Sequence, residues 1–220
     1  MASTSDPSRP PDATPPRRGR PPAGARDARE AAILDAALQE LIEHGYEGVT
    51  MLGVARRASA SKQTLYAWFG DRDGLFAALI ARNADASATQ VSRALESAAD
   101  PGEVLRQYAR GLLTLLTGQA SVALNRAAMT SAPLAARLLH EGRHRIGPLV
   151  ERYLADLADA GVLDVDDPET AFELLYGLVV QDTQIRVLLG EDPPDAADVA
   201  ARADRAVARF MQLTAANPGR

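Results

Sequence analysis

The sequence predicts an all-α protein, with a three-helix helix-turn-helix unit near the N-terminus and a helical C-terminal domain behind it. Three observations predict it. Apolar residues recur with a 3.6-residue period along most of residues 26–214, and no segment shows the two-residue alternation of a strand. Hydrophobic residues make up 46% of the chain but aromatics only 5%, the balance of an alanine- and leucine-rich helical protein. The breaks between periodic segments carry helix-start residues, among them Thr50, Ser61, Asp71 and Asp167-Pro168.

Taken in order, residues 1–25 are rich in Pro, Ser, Ala and Arg without an apolar period, and read as a disordered arm. A first helix starts near Arg26 and places Ile33, Leu34, Ala37, Leu38, Leu41 and Ile42 on one face. His44-Gly45 ends it, with Gly45 as a left-handed cap. Thr50 caps a short helix over 51–57, Ala58-Ser59-Ala60 turns, and Ser61 caps a second short helix over 62–68. Gly70-Asp71 breaks the chain, and Asp71 caps a long helix running into the nineties. Longer helices follow at 101–117, 119–130, 133–160, 168–189 and 195–214, with Pro148 expected to kink the third of these. Helix 168–189 is apolar nearly all round between Ala171 and Val180, so it is expected to be buried on more than one side. The last helix carries a stripe of Val199, Ala203, Ala206, Val207 and Phe210. These stripes read as core, with a dimer face as a second role for 168–189 and 195–214. The expected organisation is an arm at 1–25, a helix-turn-helix domain at 26–75, a regulatory and dimerisation domain at 76–215 and a tail at 216–220.

Composition removes several classes. There is no cysteine, hence no disulfide, thiol chemistry or cysteine-ligated metal. The most apolar run, Leu174–Val180, is far shorter than a membrane span, and the start of the chain has no apolar signal core, so no membrane partner and a cytoplasmic location are expected. The net charge of −5 is unevenly spread: residues 1–82 hold 11 Lys+Arg against 10 Asp+Glu, and residues 83–220 hold 13 against 19. Arginines cluster at Arg9, Arg17, Arg18, Arg20 and Arg26, and Lys62 is the sole lysine. A locally basic end on an acidic body still attracts phosphate at that end.

The short helix 62–68 has the size and exposed residues to enter a DNA major groove. Gln63 suits adenine, Thr64 offers a methyl to thymine, and Lys62 reaches a phosphate or a guanine. The Tyr66 hydroxyl and the Thr50 and Ser61 helix starts suit phosphate oxygens. Leu65 and Phe69 read as core. In the arm, Arg18-Gly19-Arg20-Pro21 resembles the core of an AT-hook, whose arginines lie in a narrow minor groove.

Residues 33–79 resemble the tetracycline-repressor (TetR) family of bacterial transcription regulators. The resemblance rests on Gly45-Tyr46, Thr50, Val54-Ala55, Ser61, Leu65-Tyr66, Phe69, Arg72-Asp73 and Leu75. Two positions depart from the pattern. Ser59 stands where glycine is usual, and serine costs about 1–2 kcal/mol there if the backbone is left-handed. Trp68 stands where His or Tyr precedes Phe, and is read as lying close to DNA. More loosely, Asn125-Arg126-Ala127-Ala128, Leu138-Leu139, Gly161 and Asp167-Pro168 resemble one regulator subgroup.

The resemblance implies a homodimeric, ligand-responsive repressor that holds a palindromic operator in double-stranded DNA and is released by a small apolar effector. It implies that Arg72 clamps the DNA backbone, and that the C-terminal helices enclose a cavity. Leu113, Leu116, Asn125, Met129, Leu139, Tyr153, Phe172, Tyr176 and Gln181 are the candidates for its wall, with Gln184 a further polar group. No cofactor, metal or catalytic residue is expected. One motif points elsewhere: His140-Glu141-Gly142-Arg143-His144 spells H-E-x-x-H, which on a continuous helix sets two imidazoles on one face as in zinc peptidases. Val150 stands where the longer form of that motif needs its third ligand. A zinc-dependent hydrolase and a DNA-free helical adaptor are therefore the alternative readings.

Overall fold

A computed structural model describes residues 24–96 and 100–215. The expectations for Arg18, Arg20 and the tail at 216–220 lie outside the described residues. Eleven helices follow one another among the described residues: α1 (Ala25–Gly48), α2 (Met51–Arg57), α3 (Lys62–Phe69), α4 (Arg72–Leu95), α5 (Pro101–Thr117), α6 (Gln119–Thr130), α7 (Ala132–Glu141), α8 (Arg143–Asp159), α9 (Pro168–Val180), α10 (Thr183–Leu188) and α11 (Ala196–Leu213). No strand forms among these residues beyond an isolated bridge between Leu163 and Ala215. No helix among them is long and apolar enough to cross a membrane.

Capping explains where the elements start. The Thr50 hydroxyl accepts from Gly53 N at 3.0 Å, Ser61 from Thr64 N at 3.0 Å and Asp71 from Gly74 N at 2.8 Å. Each supplies an acceptor for an N–H that the first helical turn cannot pair. Gly45 leaves the helical region inside α1 at φ 67°, so the regular part of α1 ends there as the cap predicts.

Apolar faces then assemble two cores. The first joins Ile33, Ala37 and Leu41 of α1, Val54 of α2, Leu65 of α3 and Leu75, Phe76 and Leu79 of α4 to Leu124, Ala127 and Leu134 of α6 and α7. The helix-turn-helix unit is thus seated directly on α6 and α7. Arg57 ties α2 to α1, donating to Glu40 at 2.7 Å and to both carboxylate oxygens of Glu43. The second core joins Leu105 and Leu113 of α5, Val150 and Leu154 of α8, Phe172, Leu175 and Val179 of α9 and Val207 and Phe210 of α11. The apolar stripe of α11 therefore fills the chain's own core, while Leu174, Ile185, Leu189 and Leu213 stay exposed.

Two helices expected to be continuous are broken. The segment 133–160 divides at Gly142 (φ −92°, ψ −93°) rather than bending at Pro148. A Cβ at Gly142 would lie 2.8 Å from the Leu138 carbonyl oxygen, so this bend requires glycine. Pro148 lies inside α8, and the carbonyl its missing N–H leaves free belongs to exposed His144. The segment 168–189 divides at Gln181 (φ 46°, ψ −128°) and Asp182 (φ −93°, ψ 0°), the angles of a type II′ turn. That turn normally takes glycine first. Here Arg202 of α11 donates to Gln181 Oε1 at 2.7 Å and holds the residue in place.

Candidate functional site

Two neighbouring sites take shape, one on the surface of α2–α3 and one between the helices behind it. On the surface, α3 buries Leu65 completely and turns Lys62, Gln63 and Tyr66 outward, with Tyr66 46% exposed. The Lys62 ammonium lies 5.5 Å from the Tyr66 ring centre. Thr64 is half-buried, and its hydroxyl sits 2.7 Å from the Ser61 hydroxyl, so the cap and the first turn of α3 share a hydrogen bond. Thr50 and Ser61 each spend their oxygen on a cap while remaining exposed at the helix start.

The turn between the two short helices has the hydrogen bonds of a Schellman cap: Ala60 N to Ala55 O at 2.9 Å and Ser59 N to Arg56 O at 3.1 Å. Ser59 is left-handed at φ 50°, the conformation that makes glycine usual here. Its carbonyl accepts from Arg29 at 3.1 Å.

Trp68 is half-buried against the first core, with the Phe69 ring edge-on at 6.4 Å and the Arg26 guanidinium 5.3 Å above its own ring. Arg72 lies on the Tyr46 ring at 4.2 Å and donates to the Tyr46 carbonyl at 3.2 Å. Its charge sits at the α4 start as expected, but its guanidinium is already engaged in fixing Tyr46. The Tyr46 hydroxyl donates to Asp73, and burial first, then that hydrogen bond, raise its pKa above the ordinary tyrosine value. Arg26 and Arg29, at the start of α1, are the residues of this surface whose roles local patterning did not single out.

Behind this unit, α4, α5, α6, α7, α8, α9 and α10 border a half-open cavity of about 300 Å³. Leu116, Asn125, Leu139, Phe172 and Tyr176 line it, as does Gln184. Leu113, Met129, Tyr153 and Gln181 do not. Leu113 sits one residue round α5 from cavity-facing Leu112 and turns into the second core. Met129 continues the Ser121–Asn125 face of α6 one turn past the cavity, where it is 65% exposed. Tyr153 packs on the second core from further along α8. The turn at Gln181 throws its side chain out towards Arg202.

Wall residues not anticipated include Tyr108, Arg143 and Gly147. Arg143 was hidden inside the H-E-x-x-H segment. A wider cleft of about 730 Å³ lies between α4 and α5 and shares Ser87, Tyr108, Leu112, Leu115 and Ile146 with the cavity.

The break at Gly142 puts His140 at the end of α7 and His144 at the start of α8, so the continuous helix that the peptidase motif needs does not form. Among the described residues, Glu40, Glu43 and His44 are close enough to share one cation, but Arg57 already supplies a positive charge to both carboxylates.

Comparison with known proteins bears on both sites. Residues 33–79 match the family described as bacterial regulatory proteins, tetR family, and residues 103–213 match the C-terminal domain of AefR-like transcriptional repressors. A crystal structure of a TetR transcriptional regulator from Agrobacterium tumefaciens is 39% identical, with 86% of this chain and 95% of that one covered and a TM-score of 0.70. A TetR-family regulator structure from Mesorhizobium loti shares the fold at a TM-score of 0.78 and 23% identity, covering 87% of this chain and 98% of that one. The transcriptional regulator BetI of Burkholderia ambifaria is 37% identical over 89 residues, 39% of this chain and 45% of BetI. The chain thus spans a little under half the length of the curated relatives it matches first. With one family match over the helix-turn-helix and another over half of the chain behind it, the protein belongs to the TetR family of bacterial transcriptional regulators.

Proposed function

We propose that this protein is a homodimeric, ligand-responsive repressor that reads a palindromic operator with α3 and leaves it when a small apolar effector fills the cavity. The observation that carries the reading is the seating of a capped, outward-facing α3 on a core continuous with α6, the helix that also lines the cavity through Ser121 and Asn125. Lys62, Gln63, Thr64 and Tyr66 are its base- and phosphate-contacting candidates, with Thr50, Ser61, Trp68 and Arg72 around them. Arg18 and Arg20 of the arm are candidates for the minor groove. Each protomer takes one half-site, so the spacing of half-sites must match the distance between two copies of α3. A ligand that prefers the conformer unable to span that distance lowers operator occupancy by its differential affinity. The exposed Leu174 of α9, Ile185 of α10 and Leu189 just after it are the candidate dimer contacts.

A mobility-shift and footprinting experiment with the DNA upstream of the protein's own gene tests this reading. The expected result is a protected palindrome that survives excess random competitor. A monomer with no preference for any genomic fragment overturns it.

A further inference from the structure

Resting on the cavity reading above, we infer that the effector carries a carboxylate on an apolar body, and that Arg143 grips that carboxylate with the hydroxyls of Tyr108 and Tyr176 beside it. The starting point is the course of the Arg143 side chain. One turn along α8 stands Gly147, and a Cβ there would lie 2.3 Å from Arg143 Nη1. The missing side chain lets the guanidinium lie along the helix at the cavity wall, where it stacks on the Phe172 ring at 4.3 Å.

Its ion pair is loose. Glu151 stands 3.5 Å away, against 2.6 Å for Arg145–Asp85 two residues further on. Most of the planar donor fork is therefore free to take a carboxylate in the two-point geometry that suits arginine.

The second observation is independent of Arg143. Tyr108 is only 3% exposed and its hydroxyl has no hydrogen-bond partner among the described residues, although it lies on the cavity wall. Tyr176, also on the wall and 6.0 Å from Phe172 between ring centres, is half-buried and likewise makes no side-chain hydrogen bond among the described residues. Burial raises the pKa of both hydroxyls above the ordinary value, so both remain protonated donors near neutral pH. Neither hydroxyl gives its proton to another group among the described residues, so both are available to an acceptor arriving with the ligand.

Among the described residues, Arg143 is the one charged group on the wall, with Tyr108, Tyr176 and the neutral Asn83, Ser87, Ser121, Asn125 and Gln184 as the polar remainder, and Ile80, Leu112, Leu116 and Ile146 among the apolar lining. That distribution fits a head that accepts hydrogen bonds and bears one negative charge, attached to a hydrophobic body. A cationic head would meet the guanidinium, and a neutral head leaves only the 3.5 Å pair with Glu151 to answer its charge. A single arginine in a mostly apolar space suits a monoanion better than a phosphate dianion.

The test uses full-length protein and the uncharged fluorophore N-phenyl-1-naphthylamine, displaced by decanoate, by the neutral decanamide and by decyltrimethylammonium. Decanoate is expected to displace the fluorophore at a concentration about ten-fold or more below decanamide, the difference expected of a charge-assisted hydrogen bond. Decyltrimethylammonium is expected to be weaker than both. In Arg143→Gln the ratio of the decanamide to the decanoate displacing concentration falls to about one. Gly147→Ala, which pushes the guanidinium aside without removing it, lowers the ratio in the same direction. Glu151→Gln, which frees the guanidinium, raises it. Equal displacement by acid and amide in the wild-type protein overturns the carboxylate assignment and leaves the cavity reading standing, as does a ratio unmoved in Arg143→Gln. Failure of the fluorophore to bind at all removes the cavity reading and this inference together.

Discussion

Replacing Ser59 with glycine should make the protein more stable, and the size of the gain follows from the turn geometry. Ser59 is held at φ 50° by the two hydrogen bonds of the Schellman cap and by Arg29 on its carbonyl. A non-glycine residue in this region costs about 1–2 kcal/mol. Its side chain is exposed and makes no hydrogen bond among the described residues, so nothing is lost with it. Against the relief stands the greater freedom of glycine in the unfolded chain, about 0.4–1 kcal/mol. The net gain is about 1 kcal/mol, or a rise in Tm of roughly 2–4 °C for a chain of this size. Trp68, the sole tryptophan, lies in the same unit, so its fluorescence during urea or thermal unfolding reports the relevant transition. Protein concentration must be held fixed, because a dimer makes Tm concentration-dependent. Ser59→Ala is the control, since it removes the hydroxyl and keeps the strained backbone. A Ser59→Gly variant no more stable than wild type, or an alanine variant that gains as much as the glycine one, would refute the strain argument.

Three further outcomes are expected. Lys62→Ala weakens operator binding nearly uniformly across sequences and lowers the slope of log affinity against log salt by about 1; an unchanged slope in a binding titration places Lys62 off the phosphates. Glu43 has its pKa lowered from 4.5, first through its hydrogen bond from Arg57, so its contribution is present above that value and fades as pH falls through the lower folded-state value; urea midpoints of wild type and Glu43→Gln should converge on acidification below pH 4.5 and stay apart above it. Phe210→Ala opens the centre of the second core at a completely buried ring and should cost about 3–5 kcal/mol, read as a lower urea midpoint with little change in slope.

The helix-turn-helix unit was legible because its signals are local. A hydroxyl before a helix, glycine after one and apolar residues at 3.6 spacing act within a few residues, and Thr50, Ser61, Asp71 and Gly45 all behave as their neighbours dictate. The break at Gln181 was not legible for the opposite reason, whereas the glycine at 142 was a local signal outweighed by Pro148 and by the H-E-x-x-H pattern. Gln181 is held by Arg202, twenty-one residues away, and no window on α9 contains that contact. The cavity was half legible: aromatic and polar residues on α9 and α6 were found, but Leu113 and Leu112 are indistinguishable until the rotation of α5 is known. Arg143 was masked by a stronger pattern, because H-E-x-x-H draws attention to the residues on either side of it. The spacing Arg143–Gly147 is the signal that was available, a long cationic side chain one turn before a residue with no Cβ.

The twelve residues of α6 also limit how this regulator changes over generations. Leu124, Ala127 and Ala128 lie in the core beneath the recognition unit, Ser121 and Asn125 face the cavity, and Arg126 donates to the Val187 and Leu188 carbonyls at the end of α10, 3.1 Å each. Three sides of this rod are therefore committed to different tasks. On the reading proposed above, a substitution on it that alters ligand preference would also disturb the seat of α3 or the grip on α10, so new specificities should arise first on the opposite wall, in α8, where a side chain faces the cavity without touching the core beneath α3.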